Sequence, residues 1–543
     1  MPAAADDALN QPPPFENVDL FSIDRPLQDA VAANGAGRER NALAEFGRRW
    51  GTAEMFAQAR LANENAPRLE STANGDSRDT VAFHPAYHAF MRESIAAGLH
   101  ASTWRADGKP ASGPAQVARA ARFYMAAQVE TGHLCPLTMT RASVAALVVE
   151  PALVKKFMPK IGSREYDENF VPIREKAGIT LGMGMTEKQG GTDVRANTTT
   201  AAAAGDGYAI SGHKWFMSAP MCDAFLVLAQ APGGLTCFLM PRFRPNGGIN
   251  GLRFQRLKDK VGNRSNASSE VEFVDAFAWR VGEEGNGIRT IIPMVQLTRL
   301  DCAIASAGLM RMALAQALHH ARHRRVFQKN LADQPMMRAL LADLALEVEG
   351  VTALVVRLAR AFDLSAGNEG EAAYARLLTP AVKYWVCKTA PAFAYEAMEC
   401  LGGNGYVEDS VRARLYREAP VNAIWEGSGN VMCLDVLRAL TRDENARAAV
   451  VDLARGAAEL PGAIDAANAM AKVLAGPDAE GAARAAVERL AVLATATALQ
   501  ASAPDVAEAY ARTRLVRGGA TYGTADLTGA EVDRLLERAL PAA

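Results

Sequence analysis

The texture of this chain changes twice along its length, and that order of textures limits the folds open to it. From about residue 38 to 176, apolar residues recur at three- and four-residue spacing, most clearly over 41–61, 115–130 and 143–157, which predicts amphipathic helices. Pro136, Pro151 and Pro172 are expected to mark breaks. Near Ile179 the pattern becomes short apolar runs between glycines. The runs at 207–212, 225–229, 236–240 and 271–274 predict buried or half-buried strands at close intervals, the signature of a small barrel or sandwich. Helical spacing returns at Gly287 and continues through 300–323, 335–363, 370–388 and 391–401. Helices, then strands, then helices predict an α+β, mainly α architecture with the strand module inserted between two helical blocks. After Thr441 comes an Ala-rich helical tail, broken near Gly476-Pro477 and Gly518-Gly519. The expected domains are an N-terminal strap (1–40), a helical domain (41–180), a β domain (181–285), a helical bundle (286–440) and a C-terminal helical domain (441–543). The strap is expected to be irregular, since its Pro- and Gly-rich runs are poor helix material, but Phe15, Val18, Leu20, Phe21 and Ile23 stand between those runs. They give the arm something to bury, on its own body or on a neighbouring subunit; the alternative is a disordered tail.

Composition narrows the function classes. A net charge of −1 over 543 residues supplies no global field that would draw the molecule onto nucleic acid or acidic lipid. The seven cysteines are scattered with no C-x-x-C pair, as expected of reduced core thiols and not of a disulfide framework or zinc site. His319, His320 and His323 have helical spacing but no matching acid or cysteine cluster, so a polar helix face is expected and no metal. The first residues carry acids and no basic-then-apolar run, and no uncharged apolar stretch is long enough to span a bilayer, so a cytoplasmic location is expected and no membrane partner.

Just before the strands stands Met183-Gly184-Met185-Thr186-Glu187-Lys188-Gln189-Gly190-Gly191-Thr192-Asp193-Val194. Glycines and small hydroxyls beside an acid can bring main-chain N–H groups and hydroxyl donors against a flat, anion-bearing cofactor. The same composition also makes ordinary turns. Further along are Lys214-Trp215-Phe216-Met217-Ser218, Arg324-Arg325-Val326-Phe327-Gln328, Glu399-Cys400-Leu401-Gly402-Gly403-Asn404-Gly405-Tyr406 and Ile424-Trp425-Glu426-Gly427-Ser428-Gly429-Asn430. The first run resembles, almost residue for residue, the flavin-binding signature of the acyl-CoA dehydrogenases. Its Lys-Gln, where many relatives have Pro-Gly-Ala, is similar to the AidB-type alkylation-response branch. The other four are similar to further motifs of the family. The resemblance covers about residues 40–440, and the tail loosely resembles the extra helical domain of AidB-type proteins.

This resemblance implies the acyl-CoA dehydrogenase fold, one FAD per subunit and a homotetramer, because the family shares its FAD site between subunits. Met183, Met185, Thr186, Gly190, Gly191 and Thr192 would meet the FAD. Phe216 would stack on the ring, beside Met217, and Ser218 would hydrogen-bond near its reactive nitrogen. Arg324 and Phe327 would reach the FAD of an adjacent subunit, with Gln328 standing where relatives usually have Gly. Gly402 and Gly403 would allow close backbone approach, and Glu399 replaces the Gln of many relatives. Trp425, Gly427 and Asn430 complete the set. Dehydrogenating a thioester needs a base for the α-proton, a flavin for the β-hydride and hydrogen bonds to the carbonyl. The resemblance makes Glu426 the base, and desolvation beside Trp425 would raise its pKa toward neutrality. Arg299 would stand near the mouth for acyl-CoA or a related small molecule.

Three functions follow from this reading: a flavoenzyme oxidising an acyl-CoA or related substrate, a flavoprotein that shields double-stranded DNA or destroys alkylating agents near it, and a flavin-stabilised scaffold with a vestigial site. Arg438, Arg512, Arg514 and Arg517 are the candidate DNA contacts. Against them, the tail from Arg442 onward has eleven basic and fourteen acidic side chains, a net of −3. That is opposite to the footprint of a DNA-binding domain, and such arginine clusters are usually solvated helix faces.

Overall fold

The computed structural model describes residues 10–71, 77–409, 411–517 and 521–541. The chain divides into two compact units. One comprises Ala57–Ala115 and Glu130–Thr298; the other comprises Met1–Phe56, Gln116–Val129 and Arg299–Ala543.

The first unit contains a two-stranded hairpin, β1 (Arg68–Ser71) and β2 (Ser77–Ala82), and a seven-stranded sheet. The sheet strands are β3 (Leu181–Gly184), β4 (Thr200–Ala204), β5 (Gly207–Ser218), β6 (Ala224–Ala231), β7 (Gly234–Pro241), β8 (Leu252–Leu257) and β9 (Ser268–Val281). Hydrogen bonding runs β6–β4–β5–β9–β7, and β7 returns to β6, so the strands close into a small barrel. Closure leaves fewer exposed edges than an open sheet would, those of β3 and β8 among them. β3 pairs in parallel with β6, Leu181 opposite Ala224, and β8 pairs antiparallel with β9, Leu252 opposite Phe273. Side chains two apart fill the interior: Phe225, Val227 and Ala229 from β6, Phe238 and Met240 from β7, and Val271 and Phe273 from β9. Leu226 and Leu228 on the other face of β6 are buried as well, which accounts for its unbroken apolar run.

Helices Pro85–Ala96, Leu134–Leu147 and Pro151–Ile161 belong to the same unit. The helix expected over 143–157 is two helices, the second beginning at Pro151. Pro136, expected as a break, lies instead in the first turn of Leu134–Leu147, where its missing N–H has no intrahelical partner to lose.

The second unit is helical. Its long members are Pro335–Leu364, Glu369–Glu399 and the part of Gly287–His323 from Arg299 onward. The stretches expected as separate helices at 370–388 and 391–401 form one helix, Glu369–Glu399, with Pro380 and Pro391 inside it. Val386, Cys387, Ala390, Phe393, Ala394 and Ala397 are buried on both sides of Pro391. That burial outweighs a proline penalty of about 3 kcal/mol. The arm expected to be irregular contains a helix, Arg25–Ala33, because Asp24 caps it through the Leu27 N–H and Pro26 occupies its first turn.

Buried ion pairs tie distant segments of this unit together. Arg119 makes two parallel hydrogen bonds to Asp301, at 2.7 and 2.8 Å, with both side chains 1 % exposed. Arg311 lies 2.9 Å from Asp24. In the tail, Arg514 bonds Asp343 at 2.5 Å and Glu347 at 3.1 Å, both on Pro335–Leu364. Arg538 likewise engages Glu349 and Asp29. Asp24, Asp301, Asp343, Glu347 and Glu349 are buried carboxylates, and each pairing gives one of them the partner it needs.

Candidate active site

The glycine-rich segment leaves β3 at Gly184 and is organised around Glu187, which has no exposed side-chain surface. One carboxylate oxygen accepts from the Lys214 ammonium at 2.7 Å and the Thr199 N–H at 3.2 Å. The other accepts from the Thr198 N–H at 2.7 Å, the Thr198 hydroxyl at 3.0 Å and the Gln189 amide at 2.7 Å. Lys214, on β5, also donates to the Leu228 carbonyl on β6 at 2.9 Å. The segment is thereby pinned to β5, to β6 and to the Thr198–Thr199 stretch that leads into β4. Burial pushes the Glu187 carboxyl up, but the hydrogen bonds from Lys214, Thr198 and Thr199 hold it down at about 2, below its ordinary 4.5. Burial lowers the Lys214 ammonium against the pull of Glu187. Neither residue was singled out from the sequence, although both lie inside the motifs; the signal was an acid and a lysine in two runs read mainly for their glycines and aromatics.

Met183 and Met185 are half-buried, as is Thr186, while Gly190, Gly191 and Thr192 are exposed. A Cβ on Gly191 would lie 2.3 Å from the Thr186 hydroxyl, so only glycine leaves that hydroxyl its place. On β5 the Phe216 ring is half exposed, Ser218 lies with its hydroxyl 3.3 Å from that of Ser268, and the Met217 side chain is in the barrel core. The Lys258 ammonium sits 4.6 Å above the Phe216 ring. A half-exposed flat ring, hydroxyl donors and a cradle that a Cβ would fill are a donor set suited to a flavin dinucleotide.

In the second unit, Glu426 stands in a loop of unusual backbone. Its φ is +60° and that of Gly427 is +109°. The left-handed region costs an L-residue about 1–2 kcal/mol, so something must hold it there. The buried Lys383 ammonium, from Glu369–Glu399, donates to the Trp425 carbonyl at 2.7 Å and also to the Gly427 carbonyl. Arg299 donates to the Glu426 carbonyl at 3.0 Å and is itself held by Asp435 at 2.6 Å. Asp435 also binds Arg376 at 2.7 Å. Burial pushes the Asp435 carboxyl up, and Arg376 and Arg299 more than offset it, leaving the group lowered. The Trp425 indole donates to Asn422 at 3.0 Å, and Asn422 donates to Ser306 at 3.1 Å. Hydrogen bonds to a charged donor contribute about 1.5–3 kcal/mol each, enough to offset the strain. Lys383 was missed in the sequence because it lies more than forty residues from the loop it serves, and Asp435 because it serves that loop only through Arg299, 136 residues away; neither lies in a motif. Asn430, past the loop, accepts from Arg484 of the tail at 2.8 Å.

Arg325–Val326 and Lys329–Asn330 pair as a short hairpin whose two turn residues, Phe327 and Gln328, have φ of +48° and +67°. Two successive positive φ values are those of a type I′ turn. Gln328 thus keeps the left-handed backbone that suits the glycine expected there. Phe327 is 93 % exposed. The N-terminal arm joins this hairpin to the turn carrying Gly402 and Gly403. Asn10 exchanges hydrogen bonds of 2.8 Å with the Arg325 backbone, Arg324 donates to the Asn10 carbonyl, and Asn404 donates to Gln11 at 3.1 Å. His319 meets the Pro13 carbonyl at 2.8 Å and the Phe15 ring at 5.2 Å, so this histidine serves the arm. Among the described residues, no group of three or more His, Cys, Asp or Glu could hold a metal ion, and no helix is long and apolar enough to cross a membrane.

Of the four arginines considered for DNA, Arg438 is exposed on the helix Gly429–Arg442. Arg512 bonds Glu531 at 2.7 Å, and Arg514 is enclosed by Asp343 and Glu347. The side chain of Arg517 lies outside the described residues, as do Gly518 and Gly519.

Comparison with known proteins agrees with this arrangement of segments. Residues 10–168 match the N-terminal domain of the adaptive response protein AidB, 182–276 the acyl-CoA dehydrogenase middle domain, and 285–441 the acyl-CoA dehydrogenase C-terminal domain. AidB of Escherichia coli (strain K12) is 51 % identical over 448 residues, 82 % of this chain and 81 % of that one. The chain belongs to the acyl-CoA dehydrogenase family, in its AidB branch. Members of this family are oxidoreductases acting on CH–CH groups, and they use FAD. Acyl-CoA dehydrogenase family member 11 of Caenorhabditis elegans is 30 % identical over 78 % of this chain and 70 % of its own. The crystal structure of C. elegans ACDH-11 in complex with C11-CoA superposes with a TM-score of 0.84 at 26 % identity, covering 96 % of this chain and 95 % of that one. An acyl-CoA dehydrogenase from Bacillus anthracis complexed with FAD shares the fold, with a TM-score of 0.64 at 16 % identity over 84 % of this chain and 81 % of that one.

The Glu187 cluster has a pH signature. Its folded pKa lies below the ordinary value, so its contribution to stability is complete above about pH 4.5 and is lost as the pH falls toward 2. Glu187→Gln, which leaves the Lys214 ammonium buried without its counter-charge, is expected to cost about 3–5 kcal/mol at neutral pH. Thermal melts of both proteins should converge as the pH is lowered from 4.5 toward 2; a gap independent of pH would show that the pair does not carry the difference.

Proposed function

We propose that this protein is an FAD-dependent dehydrogenase of acyl-CoA esters or closely related thioesters, with Glu426 as the base. The observation that carries the reading is the strained, left-handed Glu426, held by cationic side chains on the peptide carbonyls of its own loop. Strain retained at a polar residue and fixed by buried partners is characteristic of groups that must point one way. Thr186, Gly190, Gly191 and Thr192, with Met183, Met185 and the Met217 main chain around them, would receive the cofactor, Phe216 its ring and Ser218 a ring nitrogen. Arg324 and Phe327 would serve the cofactor of another copy, Gly402 and Gly403 would allow the backbone close to the cofactor, and Trp425, Gly427 and Asn430 complete the set. When bound, FAD supplies the acceptor for a hydride. Glu426 takes the α-proton; the β-hydrogen leaves with its electron pair, and the Cα–Cβ single bond becomes double. Arg299 we assign to holding the Glu426 loop as well as lining the substrate mouth. The C11-CoA complex of C. elegans ACDH-11 supports an acyl thioester as the substrate class.

Glu426→Gln is expected to stay yellow and to lose substrate-driven bleaching when titrated anaerobically with a panel of acyl-CoA esters. Bleaching at the native rate would remove Glu426 from the mechanism.

A homotetramer follows from the same reading, with Phe327 at an exposed hairpin tip as a contact to the neighbouring copy's cofactor. Light scattering should give four times the chain mass of 57.8 kDa. Phe327→Asp is expected to lower both the mass and the FAD content, and retention of both would end that assignment.

The tail we assign to anchoring the bundle and not to duplex DNA, on its net negative charge and on the carboxylates that already hold Arg512 and Arg514. Arg514→Leu should destabilise the fold by about 3–5 kcal/mol, measured by denaturant unfolding. Native protein titrated with duplex DNA should show no salt-dependent affinity; a steep loss of binding with rising salt would reverse the assignment.

A further inference from the structure

Lys383 has no place in the family resemblance, yet it is the most deeply buried cation near the candidate base. It lies mid-helix in Glu369–Glu399 with 1 % of its surface exposed. Its ammonium reaches the carbonyls of Trp425 and Gly427, the residues on either side of Glu426. Those carbonyls bracket the one residue of the loop that is neither glycine nor comfortable at positive φ. Burial raises the Cys302 thiol, the Lys383 ammonium opposes that rise, and Cys387 and Glu426 add to it. A lysine so enclosed has one geometry available, because its stem is packed and its head is fixed by two acceptors.

We infer that Lys383 is a positioning residue, clamping the peptide units on both sides of Glu426 so that the carboxylate is presented from a left-handed backbone. The inference rests on reading Glu426 as the base for its consequence in catalysis, but the clamp itself is independent of that reading. An apolar side chain at 383 would leave the Trp425 and Gly427 carbonyls without their donor, and a neutral, shorter amide would leave at least one of them so. The loop would then relax toward ordinary φ values and carry the carboxylate away from its aim. Arg299 would still hold the Glu426 carbonyl, so the loop would loosen and not detach.

The test uses the FAD-loaded protein with Lys383→Met, Lys383→Gln and Glu426→Gln. Amide hydrogen exchange over 424–430 reads the clamp without any substrate. Exchange there should quicken at least about tenfold in Lys383→Met, and by less in Lys383→Gln, which can reach one carbonyl at most. Protection across Pro335–Leu364 should stay native. Unchanged exchange over 424–430, or a uniform rise across the whole bundle, would overturn the inference. Should Lys383→Met fail to fold, the same comparison on Lys383→Gln decides. Anaerobic bleaching by undecanoyl-CoA then reads the consequence: the limiting rate should fall roughly 100-fold in Lys383→Met while the half-saturating concentration moves less than threefold. A native limiting rate in Lys383→Met, with bleaching lost in Glu426→Gln, would sink the positioning role alone. Native bleaching in Glu426→Gln would sink the base assignment and leave the exchange result standing.

Discussion

A carboxylate with no exposed surface must find donors for its lone pairs, and Glu187 finds five. The glycine-rich segment, the Thr198–Thr199 turn and strands β5 and β6 all meet at that one group or at the lysine paired with it. A segment of glycines has little shape of its own. Here its shape is imposed by a buried side chain, turned away from the surface the segment presents. The exposed hydroxyls and glycines can then vary in their contacts while their positions stay fixed.

The loop around Glu426 is held by the opposite chemistry. At Glu187 an acid gathers N–H and O–H donors; at Glu426 two cations, Lys383 and Arg299, gather carbonyls. Asp435 offsets part of the positive charge by holding Arg299 and Arg376 together. In both places the group that fixes the backbone is buried and the group offered for chemistry is more exposed. The division of labour is physical: a buried ion pair has few geometries, whereas an exposed side chain has many.

Much of the architecture was legible in residue order. The runs at 225–229 and 236–240 became paired barrel strands, and the texture change near Ile179 fell within two residues of β3. The segments carrying Thr186, Phe216, Arg324, Gly402 and Glu426 were legible through their motifs. What escaped were effects of distance. Pro391 reads as a helix stop on local grounds, and only the burial on both sides of it explains why the helix continues. Lys383 looks like an ordinary helix residue until a loop more than forty residues away is folded against it, and Asp435 until Arg299, 136 residues away, is brought to it. The arm was expected to be irregular because its prolines and glycines are conspicuous. The Asp24 cap, which begins a helix inside it, is a single residue.

Folding by itself would prefer glycine at 426, since glycine occupies φ of +60° without cost. The chain instead keeps an acid at that point and recruits a lysine and an arginine to restrain it. A population of variants selected only for thermal endurance should therefore drift toward glycine there, and with the acid gone the lysine beneath it would become a liability, an ammonium in the dark with half its purpose removed. The order in which such residues decay would be a record of which requirement, chemistry or folding, had been relaxed first.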